Sequence, residues 1–260
     1  MNNKNLKDEF ILSIDGVSKS FGKTLAVSDL NLELRSGEIF GFLGPNGAGK
    51  TTTIKMIVSL LRPNKGTIKI GGHSIVSEPV EAKKLIGYIP DNPYIYERLT
   101  GREFLELVGS LFRMESKIIA ERIEMLFDLF GVEEWGDDLS AEYSHGMCQK
   151  IIMASAILHD PRLIVIDEPM VGLDPQSQRL VKQIIRKLAE QGTTFFMSTH
   201  TLSVAEDTCT KIGIINKGKL LALGNPDRLR SDAKMSGKTL EEYFIHLTGE
   251  ERKVNLWSLE

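Results

Sequence analysis

At 260 residues, 42 % of them hydrophobic, the chain is long enough to bury a sizeable core, as one large α/β domain or as a core with a subdomain, and disorder is excluded. Its 32 Lys+Arg against 35 Asp+Glu leave a net charge of -3, which gives no basic excess and argues against nucleic acid as a dedicated partner. No run approaches the ~18 apolar residues of a membrane span, and the apolar stretch at 10–14 is too short and interrupted for a signal peptide, so the expected location is the cytoplasm.

In chain order, residues 10–14 and 26–34 read as strands, the second alternating around Leu30, Leu32 and Leu34 before a turn at Ser36-Gly37. Both look antiparallel and peripheral. The apolar run 39–43 reads as a strand that enters Gly44-Pro45-Asn46-Gly47-Ala48-Gly49-Lys50-Thr51, and a helical pattern begins near Thr52 and extends to about Leu61. A turn at 63–66 and short strands at 67–70 and 86–89 follow. From Gly101 to about Leu158 the periodicity is helical. Phe104, Leu105, Val108, Leu111 and Phe112 share one face, and Ile119, Ile123, Leu126, Phe127 and Phe130 another. Residues 163–166 and 193–197 lack polar alternation and read as buried parallel strands. A β-rich stretch at 212–223 precedes a tail in which Leu240, Tyr243, Phe244 and Leu247 form an apolar stripe. Cys148 and Cys209 lie far apart without metal-ligand spacing and read as free structural thiols of a reducing compartment.

The glycine-rich loop between a strand and a helix carries the most chemistry. Backbone N–H groups and the positive end of a helix dipole converge on phosphate oxygens, so the chain is expected to bind a nucleoside triphosphate through residues 44–51 and Thr52. Gly44, Gly47 and Gly49 let the backbone wrap the phosphates, Lys50 reaches the β- and γ-phosphates, and the Thr51 hydroxyl can ligate Mg²⁺. At the end of the apolar run 163–166, Asp167 is expected to hold Mg²⁺ through water and Glu168 to act as the base toward the attacking water. His200 is either a γ-phosphate sensor or an ordinary strand-end histidine.

The order of these motifs resembles the ATP-binding-cassette ATPases over residues 10–230. The phosphate loop at 44–51, the acidic strand end at 163–168, Gly172-Leu173-Asp174-Pro175 and His200 stand in that family's order. The resemblance implies an α/β fold: a P-loop nucleotide hydrolase core with an antiparallel β subdomain and an α-helical subdomain inserted at about 91–160, followed by a helical tail at 231–260. It also implies ATP and Mg²⁺ as cofactors. Phe21 stands at the family's adenine-stacking position, with packing at a strand end as the other reading, and Asp174 at its D-loop aspartate. The family signature appears as Tyr143-Ser144-His145-Gly146-Met147, in which Ser144 and Gly146 are expected to face the γ-phosphate bound to a second subunit.

Two positions depart from the family pattern. His145 replaces a glycine where backbone must approach phosphate, and it either obstructs closure or adds a donor. Asp91 stands where the family has a glutamine near Mg²⁺ and water; it is either a shorter metal-site acceptor or a plain turn residue before Pro93. The resemblance implies an ATPase subunit of an exporter, peripheral on the inner face of the membrane. It would be paired with a second cassette subunit, a homodimer more than a heterodimer, and with a separate integral membrane permease. The alternatives are a soluble cassette ATPase that remodels a macromolecule and a weakly hydrolysing regulatory protein. Residues 94–99 and the helices after them read either as the docking surface or as subdomain core.

Overall fold

The computed structural model describes residues 10–168, 170 and 172–249. Two long antiparallel strands come first, β1 (Phe10–Phe21) and β2 (Thr24–Arg35). Along β2 the residues Leu30, Leu32 and Leu34 are buried while Asn31 and Glu33 face out, the period-two pattern of a strand covered on one side. Next come β3 (Ile39–Leu43), α1 (Lys50–Ile57), β4 (Lys65–Ile70), β5 (His73–Ser74), α2 (Pro79–Lys84) and β6 (Ile86–Ile89). Three helices follow: α3 (Gly101–Leu111), α4 (Ser116–Phe130) and α5 (His145–Leu158). The chain then runs through β7 (Leu163–Asp167), α6 (Pro175–Glu190), β8 (Thr194–Thr199), α7 (Leu202–Thr208), β9 (Lys211–Asn216), β10 (Lys219–Gly224), α8 (Pro226–Met235) and α9 (Leu240–Thr248).

Among the described residues the strands form two sheets, an antiparallel one in the order β2-β1-β4-β5 and a six-stranded one in the order β10-β9-β3-β8-β7-β6. In the larger sheet β9, β3, β8, β7 and β6 are parallel, with β10 antiparallel at the edge. Side chains alternate between two cores. Phe40, Phe42, Val165 and Phe196 pack toward the antiparallel sheet and α1, whereas Ile39, Leu43, Ile164, Ile166 and Phe195 pack toward α4 to α9. Strands β3, β7 and β8 are buried along their whole length, which is why they read as unbroken apolar runs.

Some helical expectations hold and others need correction. Helix α1 stops at Ile57 rather than near Leu61, because Ser59 turns left-handed at φ 59 and the N–H groups of Leu60 and Leu61 both fold back to Lys55 O. Leu111, placed on the buried face, is the last residue of α3 and is 74 % exposed. In α4 the five expected residues are all buried. The tail stripe is present in α9, with Leu240 and Phe244 buried and Tyr243 and Leu247 partly so. Helix α8 begins at Pro226, ahead of the expected boundary at 231, while the tail's residues 250–260 and the N-terminal residues 1–9 lie outside the described residues.

Candidate functional site: a phosphate loop with a clamped carboxylate

Parallel register assembles the site. β3, β8 and β7 are neighbours, with Leu43 opposite Thr199 and Asp167 opposite Ser198, and β6 lies beyond β7 with Ile89 opposite Ile166. The carboxyl ends of these strands therefore deliver the phosphate loop, His200, the Asp167-Glu168 pair and Asp91 to one edge, the position where open α/β sheets bind ligands.

The loop is shaped by close backbone approach. A Cβ on Gly44 would lie 2.3 Å from Ile215 O, and one on Gly49, which has φ +109 and precedes α1, would lie 2.5 Å from Ala26 O. Neither position admits a side chain without moving backbone. The loop curls around the ammonium of Lys50, which is 7 % exposed and donates to Gly44 O (2.6 Å) and Pro45 O (3.2 Å). Its Nζ also lies 3.9 Å from Glu168 Oε1. A cavity of about 210 Å³ is lined by Pro45, Asn46, Gly47, Gly49, Lys50, Thr51, Thr52, Asp91, Asp167 and Glu168, with Ala26 of β2 as a further wall. This is smaller than the ~300–1,000 Å³ usual for whole small-molecule ligands and suits a polyphosphate tail. A larger groove of about 1160 Å³ between α7, α8 and α9 includes His200 but none of the loop, so its size does not make it the phosphate site.

Glu168 is clamped from three directions. Its Oε1 is 3.0 Å from His200 Nδ1 and near Lys50, its N–H donates to Ser198 Oγ (3.2 Å), and its backbone is left-handed at φ 53. Such a conformation at a glutamate costs of order 1 kcal/mol and persists only where its surroundings enforce it. Ser198 Oγ in turn donates to the carboxylate of Asp167, and both residues are buried. Sequence reading missed Ser198; its one signal is its place at the end of an apolar run, and the pairing that makes it matter is a cross-strand register. Ala26 carries no sequence signal at all.

Among the described residues no group of three or more His, Cys, Asp or Glu side chains converges as a metal site. The donors present, the Thr51 hydroxyl with the Asp91 and Asp167 carboxylates, are all oxygen, which fits a hard cation completed by water and phosphate.

The remaining expected residues stand outside this cavity. Ala48 is buried beneath the loop, where its carbonyl accepts from Gly218 N. Phe21 is 50 % exposed. Its register partner Thr24 is two residues from Ala26, and Lys19 Nζ lies 5.5 Å from the ring centroid. Ser144 caps α5 by accepting from Met147 N (3.3 Å), and beside Gly146 the space where a Cβ would stand is open. Asp174 caps α6: its carboxylate accepts from Gln176 N, Ser177 N and Ser177 Oγ, and the Ser177 bonds hold it below the usual carboxylate range. Within this chain Asp174 thus serves a helix and makes no contact with the phosphate cavity.

The profile of the ABC transporter family matches residues 27–171. An uncharacterized ABC transporter ATP-binding protein of Nostoc is 40 % identical over 209 residues, which are 80 % of this chain and 62 % of that one. The chain thus spans less than two thirds of that relative. The daunorubicin/doxorubicin resistance ATP-binding protein DrrA of Streptomyces peucetius is 37 % identical over 85 % of this chain and 67 % of its own length. A solved ATP-binding subunit of an ABC transporter superposes with a TM-score of 0.86 at 31 % identity, over 91 % of this chain and 99 % of that one. With the loop, the acidic strand end and the histidine meeting on a P-loop α/β sheet, this chain belongs to the ABC transporter family, whose ATP-binding cassettes hydrolyse ATP.

Proposed function

We propose that the chain is the ATP-hydrolysing subunit of an exporter, working as a head-to-tail dimer on the cytoplasmic face of a membrane and driving a separate integral permease. Residues 10–230 form the cassette in this reading, with the helical subdomain at 91–160. The observation that carries it is the separation of two half-sites. Glu168 is held between Lys50 and His200 at the phosphate cavity, while Ser144 and Gly146 stand at an exposed helix N-terminus outside that cavity.

ATP enters with its phosphates along the loop, and Lys50 exchanges its carbonyl contacts for β- and γ-phosphate oxygens. Glu168 takes a proton from the attacking water, and His200, in contact with the same carboxylate, holds it toward the γ-phosphate. Thr51, Asp91 and Asp167 would hold Mg²⁺, which would neutralise part of the charge on the phosphates. Phe21 offers its open ring to adenine. Ser144, Gly146 and Asp174 serve the nucleotide of the partner subunit, where a helix N-terminus favours an anion.

For the permease, the helical segment offers exposed apolar side chains: Tyr94 at 67 % exposure, with Tyr96, Leu111 and Met125 also above half. None of the described helices is long and apolar enough to cross a membrane. DrrA, named for daunorubicin/doxorubicin resistance, supports the export direction. The test is affinity purification of the chain from detergent-solubilised membranes of its host, with mass spectrometry of stoichiometric partners. A multi-span membrane protein is expected; recovery of soluble partners alone would overturn the reading in favour of macromolecular remodelling.

A further inference from the structure

His145 is the first residue of α5, and its side chain is exposed. Its imidazole nevertheless reaches the segment that joins β7 to α6. A Cβ built on Gly172 would lie 2.6 Å from His145 Cδ2 and 2.8 Å from Nε2, so the ring fills the space that any larger residue at 172 would need. Gly172 has φ +77, and the carbonyls of Met170 and Leu173 near it are both engaged. Gln178 Nε2 donates to Met170 O (3.3 Å) and Leu173 O (3.0 Å), and Asp174 caps α6. The same segment leaves the sheet at Glu168, four residues before the glycine.

We propose that His145 is a positioning residue for Glu168: seated on Gly172, its imidazole holds that glycine, four residues after Glu168, in place relative to the start of α5. This inference rests on the reading of Glu168 as the base. It also answers what the exchange of glycine for histidine at 145 does, since the ring has an intramolecular seat and the glycine at 172 is the space that receives it. The two positions therefore form one unit.

The experiment is a double-mutant cycle on the full chain, His145→Gly and Gly172→Ala, with kcat and KM for ATP measured separately. Amide hydrogen exchange at Met170, Gly172 and Leu173 is followed without nucleotide. Backbone strain from alanine at φ +77 is common to both backgrounds and cancels in the cycle. Gly172→Ala is expected to lower kcat at least ~10-fold with KM within about twofold, and His145→Gly in the same chain to recover at least ~3-fold of that loss. Exchange at the three amides should be ~10-fold faster in His145→Gly than in the native chain, while His145→Phe, which keeps a planar ring, retains the protection. Multiplicative effects in the cycle, or unchanged exchange in His145→Gly, would overturn the proposal. If Gly172→Ala does not fold, the exchange of the two His145 variants still decides it. Full turnover after Glu168→Gln would overturn the assignment of the base instead, an outcome that exchange rates do not mimic.

Discussion

Replacing Ser198 by alanine removes one oxygen from the centre of the β7–β8 pairing. That oxygen donates to the Asp167 carboxylate and accepts from Glu168 N. Ser198 is fully buried and Asp167 is 4 % exposed, so bulk water does not restore either bond. A bond to a charged group contributes about 1.5–3 kcal/mol and a neutral one about 0.5–1.5 kcal/mol, so Ser198→Ala should destabilise the fold by about 3 kcal/mol. For a chain of this size that corresponds to a fall in Tm of roughly 6–12 °C. Turnover should fall as well, because Glu168 loses the backbone anchor that helps enforce its left-handed conformation. Thermal unfolding and ATP turnover of Ser198→Ala are compared with those of Ser203→Ala, an exposed serine whose loss should matter by less than about 0.5 kcal/mol. A destabilisation by Ser198→Ala below about 1 kcal/mol would refute the view that this hydroxyl anchors the acidic strand end.

Three other substitutions probe different parts of the site and fold. Glu168→Gln should lower ATP turnover by at least ~100-fold while leaving nucleotide binding measurable by titration, since the phosphate loop is untouched. Phe21→Ala should weaken ATP binding by about 1–3 kcal/mol, roughly 5- to 150-fold in Kd, with no comparable loss for inorganic triphosphate, which has no base to stack. His159 stacks on Phe112 at 3.7 Å and bonds to Ile86 O, and burial pushes its imidazole below the ordinary 6.5. The folded state therefore binds fewer protons than the unfolded state once the pH drops below 6.5, so stability declines from there toward the lower folded value. Tm measured from about pH 7 to about pH 5.5 should fall more steeply for the native chain than for His159→Phe, and parallel slopes would count against this assignment.

What the sequence revealed, and what it hid, follows from the range of the interactions involved. The phosphate loop was legible because its function is written in contiguous residues, from Gly44 to Thr51, between a strand and a helix. Strands β7 and β8 were legible because burial on both faces leaves no polar alternation. Helix α6 was missed although Leu180, Val181, Ile184, Ile185, Leu188 and Ala189 recur at helical spacing and pack on the larger core; the signal was in the sequence and was not read. The roles of Ser198 and Ala26 arise from pairing between distant segments, and local periodicity carries no information about that. The seat of His145 on Gly172 spans 27 positions and is tertiary in the same sense.

Gly87 on β6 has a mechanical consequence. A Cβ there would lie 2.2 Å from Ala156 O, so the C-terminal turn of α5 rests directly on the sheet, while Ser144 marks the other end of the same helix. From Ala156 to Ser144 the helix extends about 18 Å. A tilt of about 5° at the resting point would swing the Ser144 end through about 1.6 Å, over half the length of a hydrogen bond. A rigid α5 pivoting at this contact, three residues upstream of Pro90, would carry a tilt of β6 to the serine over that lever arm, working against the packing of α3 and α4 along the helix.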